Sequence, residues 1–106
     1  MNLPAKVRVG AWDYRIEAFS FGDGADSGKF GTCSTNQKLI QIDLHWGAKR
    51  AAATLLHEIV HAVWSEWNME KEDEEERIVR CVADGLSAVW RDNPEVMRWI
   101  HRRLGA

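Results

Sequence analysis

The interpretation of this chain depends on the stretch Thr54-Leu55-Leu56-His57-Glu58-Ile59-Val60-His61-Ala62. Its apolar residues recur every three or four positions, which predicts a helix rather than a strand. At about 100° per residue, His57, Glu58 and His61 fall within one sector of about 100°, and apolar residues occupy most of the remaining circumference. The pattern predicts a buried helix with a single polar slot, whose side chains need partners.

The polar slot contains an H-E-x-x-H motif. Residues four apart lie on one helix face, so the imidazoles of His57 and His61 can bind one Zn²⁺ at about 2.0–2.1 Å. Glu58 lies beside them and is suited to take a proton from a metal-activated water, as the general base of peptide-bond hydrolysis. The motif predicts a zinc metallopeptidase. The alternative is a pair of histidines at the edge of the core that hydrogen-bond to strand carbonyls.

Catalytic zinc needs a third protein ligand. The extended metzincin pattern is excluded, because Trp64 and Trp67 occupy the positions of its Gly and third His. A carboxylate near the start of the next helix is the natural substitute, and six acidic residues are candidates: Glu70, Glu72, Asp73, Glu74, Glu75 and Glu76. That helix carries an apolar stripe made of Ile78, Val79, Val82, Ala83, Leu86, Val89 and Trp90. Glu75 is nearest the centre of the stripe and is the predicted ligand, followed by Glu76 and Glu72.

The segments around the motif predict the fold class. Alternating patterns predict strands over 6–9, 12–20, 29–34 and 39–44, with a glycine-rich loop over 21–31. Helical patterns follow over 47–67, 72–92 and 94–104, with Asn93 as the N-cap of the last helix and Pro94 at its first position. We therefore expect an α+β fold, in which an antiparallel or mixed sheet of three to four strands packs on the motif helix and two further helices follow. The length of 106 residues predicts a single domain over 1–106.

Composition excludes several partners. Lys and Arg number 14 against 16 Asp and Glu, so a net charge of -2 gives no general attraction to nucleic acid or anionic membranes. No apolar run reaches the roughly 20 residues that span a bilayer. A cation-rich C-terminal end is better explained by the helix dipole than by nucleic-acid binding; it comprises Arg98, His101, Arg102 and Arg103. Two cysteines are too few for a disulfide scaffold, which favours a reducing, cytoplasmic location.

The sequence also predicts roles for several further residues. Four side chains are candidate donors to an oxyanion: His45, Tyr14, His101 and Arg50. The six tryptophans are expected mainly to fill the core, and Trp64 and Trp67 are expected to wall the metal cleft. Cys33 and Cys81 are expected to be thiols without a metal, since neither belongs to a CxxC pair.

From Leu39 to Pro94 the chain resembles the minimal zincin, gluzincin-like metallopeptidase domains that phages and mobile elements carry, and more distantly the ImmA/IrrE and SprT-like groups. The resemblance includes strand 39–44, the motif, the acidic turn, Val82-Ala83-Asp84-Gly85-Leu86 and Asp92-Asn93-Pro94. It implies zinc on His57, His61 and a downstream Glu, with Glu58 as base. It also implies a peptide or protein substrate that pairs with an edge strand, here 39–44, and the host cytoplasm for a phage-encoded protein.

A second class of function stays open beside the hydrolase. Domains of this kind include members with no demonstrated peptidase substrate. The alternative is a metal-binding, catalytically weak or inactive phage-type adaptor or inhibitor of a host protein. The sequence predicts neither the cleavage specificity nor the oligomeric state.

Overall fold

The computed structural model describes residues 2–20, 30–68 and 75–105, except for the side chains of Glu75, Glu76 and Val79. The sheet contains β1 (Lys6–Val9), β2 (Trp12–Ala18), β3 (Gly31–Ser34) and β4 (Leu39–Ile42). Its order is β1-β2-β4-β3. Strands β2 and β4 are parallel, whereas the β1–β2 and β3–β4 pairs are antiparallel. The mixed, four-stranded sheet agrees with the prediction.

A short 3₁₀ helix (Leu44–Trp46) leads from the sheet into α1 (Ala48–Glu66), and then come α2 (Glu75–Asp92) and α3 (Pro94–Leu104). The predicted α+β class, with a sheet on the motif helix and two further helices, is confirmed. Residues 21–29 of the predicted loop and 72–74 of the predicted second helix lie outside the described residues. No helix in the described ranges has the length and apolar character needed to cross a membrane.

The core lies between one face of the sheet and the three helices. Val7, Tyr14 and Ile40 alternate with outward-facing residues in their strands, and they pack with Leu55 of α1 and Trp99 of α3. This is the period-two burial expected of a sheet covered on one side. The core therefore buries one face of α1 and leaves another for the polar slot.

The expectation that the tryptophans mainly fill the core is wrong for two of them. Trp99 is fully buried, but Trp12 is 54% exposed and Trp90 is 64% exposed. Trp12 is the first residue of β2, and Trp90 lies beside buried Val89 on α2 but points away from the core. Burial here follows the position of each residue in its element, not its hydrophobicity alone.

The assignment of strand 39–44 as the edge strand is also wrong. Strand β4 pairs with β2 on one side and β3 on the other, so it is interior. Leu44 already belongs to the 3₁₀ helix, whose turn is fixed by Asp43, because this carboxylate accepts hydrogen bonds from the His45 amide at 2.9 Å and the Trp46 indole at 3.3 Å. Strand β3 is the edge strand on this side of the sheet.

Asn93 occupies the predicted N-cap position of α3, but its side chain makes no capping hydrogen bond. Its Oδ1 accepts from the Arg8 amide at 2.8 Å, and its Nδ2 donates to the carbonyls of Arg8 and Val89, each at 2.8 Å. The short polar side chain therefore joins β1 to the junction of α2 and α3. Capping was the wrong mechanism, because a strand distant in sequence competes for the same amide group.

A polar cluster attaches the last turn of α1 to the sheet. The Tyr14 hydroxyl and Lys38 Nζ both donate to Glu66 Oε2 at 2.6 Å. Burial, and then the hydrogen bond to Glu66, raise the pKa of Tyr14, so the phenol stays protonated. The hydroxyl of buried Tyr14 is therefore occupied by its hydrogen bond to Glu66 and does not serve as the predicted oxyanion donor.

Helix α2 packs against α1 where Gly85 meets Val63. A side chain at position 85 would overlap Val63 and come within 3.4 Å of the Trp67 ring, so the close approach of the helices requires glycine. Val63 lies on the apolar side of α1, away from the sector that carries the motif histidines. The described middle of α2 therefore packs against the apolar side of α1 and does not line the polar slot.

Candidate metal centre

Helix α1 divides the motif between solvent and interior. His57 and His61 are exposed, whereas Glu58 between them is only 6% exposed. This follows from the helical period, since Glu58 is displaced from His57 by about 100° toward the sheet. The predicted polar slot is therefore present, with its two imidazoles on the rim and its carboxyl group deeper.

The two imidazoles converge. Nε2 of His57 and Nε2 of His61 are 3.2 Å apart, with ring centroids at 4.9 Å and planes inclined at 70°. Two nitrogens bound to one tetrahedral Zn²⁺ at about 2.0–2.1 Å would be roughly 3.3 Å apart. The pair thus fits a shared cation, and it also fits a hydrogen bond between two neutral rings. No strand carbonyl competes for these nitrogens among the hydrogen bonds of the described residues.

Glu58 carries the perturbed carboxyl group of the site. Burial raises its pKa, and electrostatic interaction with the neighbouring His57 and His61 opposes that rise. A carboxyl group with a raised proton affinity is better suited to accept a proton than one fully solvated. Its location next to the imidazoles is the arrangement predicted for a general base.

Strand β3 lies close against this part of α1 through Gly31. A Cβ at position 31 would be 2.5 Å from Cγ2 of Thr54 and 3.3 Å from Cγ of Glu58. Such contacts are too short for any other residue, so glycine is required by proximity rather than by backbone conformation. Gly31 thereby lets the edge strand border the polar slot.

A cleft of about 390 Å³ opens beside the motif, and it is lined by Phe30, Gly31, Arg50, Thr54, His57 and Glu58. Of the four predicted oxyanion donors, only Arg50 lines it. His45 instead packs edge-on against Trp46, with ring centroids 4.9 Å apart, and His101 lies on α3. Trp64 and Trp67 are not among the residues that line this cleft, and the Trp67 ring lies next to Gly85.

The predicted third ligand falls outside the described residues. The side chains of Glu75 and Glu76 are not described, nor are residues 69–74, which include Glu72. Among the side chains that the structure describes, no His, Cys, Asp or Glu forms a group of three able to hold a metal. The described part of the candidate centre therefore consists of two imidazoles and one nearby carboxyl group, and Glu75 stays a prediction.

Cys33 lies on β3 beside the same region, but its chemistry is that of a protonated thiol. Burial, followed by the negative charges of Glu58 and Glu66, raises its pKa to about 11. Only the thiolate is a strong nucleophile or metal ligand. Cys33 and Cys81 are both free cysteines.

Two cleft residues, Phe30 and Gly31, were not among the predicted site residues. Both lie at the end of the glycine-rich stretch, where the sequence indicates only a loop and a short strand. Their role depends on contacts with α1, twenty or more positions away in the chain. Comparisons with family models, curated proteins and solved structures find no match to this chain.

Proposed function

We propose that this protein is a zinc-dependent metallopeptidase. The observation that carries the proposal is the 3.2 Å separation of the His57 and His61 Nε2 atoms, on a helix that also places Glu58 in the adjoining cleft. Two imidazoles and a carboxyl group at this spacing are the ligand pair and general base of an H-E-x-x-H site. The free cysteines are compatible with the reducing cytoplasm that we propose as its location.

Each residue has a separate task in this mechanism. His57 and His61 would hold Zn²⁺, which supplies a Lewis acid that polarises a carbonyl group and acidifies water. Glu58 accepts a proton from the attacking water and returns it to the amine that leaves. Because burial disfavours its charged form, the Glu58 carboxyl group can hold that proton between the two transfers.

The edge strand offers a place for the substrate backbone. Strand β3 pairs with β4 and borders the cleft at Gly31, and no described strand pairs with its other side. An extended peptide can add to such an edge through main-chain hydrogen bonds. We therefore assign substrate pairing to β3 instead of to the interior strand β4.

The third ligand would come from residues 69–76, because no described side chain completes the set. Among these residues the sequence pattern favours Glu75, because it lies nearest the centre of the apolar stripe of α2. We expect Glu75→Ala to lose zinc at equilibrium while Glu76→Ala keeps it, as measured by metal analysis after dialysis. Full zinc stoichiometry in Glu75→Ala would remove Glu75 from the site, and a parallel Glu72→Ala variant tests the other candidate.

The activity itself is tested by turnover of a random peptide library. Zinc-loaded protein is expected to give reproducible cleavage products, detected by mass spectrometry. A chelator should abolish them, and added Zn²⁺ should restore them. Absence of cleavage by fully zinc-loaded protein across the library would argue against a peptidase.

The alternative function, an adaptor or inhibitor that binds a host protein, is supported by a different surface. An apolar groove of about 290 Å³ lies between the three helices and is lined by Leu56, Leu86, Trp90 and Met97 among others. Trp90 exposes most of its ring there, and large exposed aromatic residues often contribute to protein interfaces. Tight partner binding that is lost in Trp90→Ala but unaffected by Glu58→Gln would favour the adaptor.

A further inference from the structure

Arg50 occupies the part of the cleft nearest the start of α1. Its guanidinium carbon lies 4.7 Å from the centroid of the Phe30 ring, and both residues line the cleft together with His57. Position 50 precedes position 57 by two helical turns, so the two side chains project from the same face of α1. Arg50 is therefore part of the same cleft as the motif.

Stability of α1 does not explain this arginine. A cation in the first turn opposes the helix dipole, and the first turn of α1 contains no acidic residue to compensate it. Within the described parts of the chain, no salt bridge or hydrogen bond to a carboxylate involves Arg50. An arginine that lies over an aromatic ring keeps its N–H donors available for bidentate binding of a carboxylate.

Contacts along the chain define the direction of β3 relative to the motif helix. Three of them progress in the same order along both segments: Phe30 with Arg50, Gly31 with Thr54, and Lys38 with Glu66. Strand β3 begins at Gly31, beside Thr54, and leads to the turn that contains Lys38, beside Glu66, so it runs in the direction of α1. A peptide that pairs antiparallel with β3, the more stable arrangement per residue, would have its C-terminal part directed toward Arg50.

We propose that the cleft recognises peptides carrying a carboxylate about three residues C-terminal to the cleaved bond, and that Arg50 binds this carboxylate. The position of the cleaved bond at His57 and His61 rests on the proposed function. The spacing follows from the offset of seven positions between Arg50 and His57, about 10 Å along the helix, which three extended residues span. An acidic side chain and a free chain terminus both supply this chemistry.

The test measures binding, so that it does not depend on turnover. Zinc-loaded Glu58→Gln protein is equilibrated with three acetylated hexapeptide mixtures, each randomised at the first five positions among residues other than Asp and Glu. They end in Glu-amide, Gln-amide and Gln with a free carboxylate, and mass spectrometry measures the fraction retained on ultrafiltration. We expect at least one carboxylate mixture to be retained about tenfold more tightly than Gln-amide, the effect of one charge-assisted contact. Preference for the Glu-amide mixture identifies a side chain, and preference for the free acid identifies a chain terminus.

Arg50→Gln in the same background should bring the three retentions within about twofold of one another. Lys49→Gln is the matched control, because Lys49 is a neighbouring exposed cation that does not line the cleft. Equal retention of all mixtures before the arginine is changed, or a preference that survives Arg50→Gln, would overturn the proposal. If the carboxylate mixtures are preferred but the unmodified protein cleaves no peptide, only the proposed peptidase activity is refuted. If the unmodified protein cleaves peptides but no carboxylate preference is found, only the role of Arg50 is refuted.

Discussion

Replacement of Glu58 by Gln is expected to reduce peptide hydrolysis by roughly 10²–10⁴-fold, the contribution of a positioned general base. Gln has nearly the shape of Glu and fills the same space beside Gly31, but it cannot accept a proton. Zinc content should be unchanged, because the imidazoles of His57 and His61 are untouched. The measurement is kcat/KM on a peptide identified from the library, with metal analysis of the same preparation.

The free energy of unfolding shows whether Glu58→Gln loses activity because the base is missing or because the fold is damaged. Burial disfavours the charged form of Glu58, so its neutral replacement should leave the free energy of unfolding the same or slightly higher. Glu95→Gln, at an exposed carboxylate in the first turn of α3, is the control and should keep full activity. Undiminished kcat/KM in Glu58→Gln would exclude Glu58 as the base, whereas loss of zinc from that variant would make Glu58 a ligand.

Local periodicity predicted the elements of the fold well, because burial on one side leaves a direct pattern in the sequence. Val7 and Val9, like Tyr14 and Ile16, are buried at alternate positions, as their strands predicted. Strand order was not predictable in the same way. The parallel pairing of β2 with β4 places Ile16 beside Ile40 across a connection that itself contains β3. Alternation in 39–44 predicts a strand but does not distinguish an interior strand from an edge strand.

In the site, too, the arrangement of residues close in sequence could be predicted, whereas contacts between residues distant in sequence could not. His57, Glu58 and His61 lie within five residues on one helix, so the 3.6-residue period was enough to bring them together. Phe30 reaches Arg50, and Gly31 reaches Thr54, only because the sheet folds onto α1. No spacing rule connects these residues in the sequence. The motif could therefore be predicted, whereas the shape of its cleft and its edge strand required the fold.

Removal of either motif histidine is expected to remove most of the stabilisation that zinc gives. At a free zinc concentration 100 times the dissociation constant, binding adds about 2.7 kcal/mol to the free energy of unfolding. For a domain of this size, that raises Tm by roughly 10–20 °C. Loss of outer-shell partners alone weakens metal sites by about 10–100-fold, so loss of a ligand in His57→Ala or His61→Ala should weaken binding by at least 100-fold. Zinc at the same concentration should then add only about 0.4 kcal/mol or less.

Thermal unfolding without zinc separates a metal site from a pair of hydrogen-bonded rings. Both imidazoles are exposed, so each alanine should cost the zinc-free protein at most about 1 kcal/mol, the usual worth of one hydrogen bond. The chain has four histidines, so His45→Ala and His101→Ala complete the set and should keep the full response to zinc. Equal losses in all four variants would indicate dispersed surface binding. A wild type whose Tm does not respond to zinc would show that the 3.2 Å contact between His57 and His61 is only a hydrogen bond, because a shared cation bound by the folded chain must stabilise it.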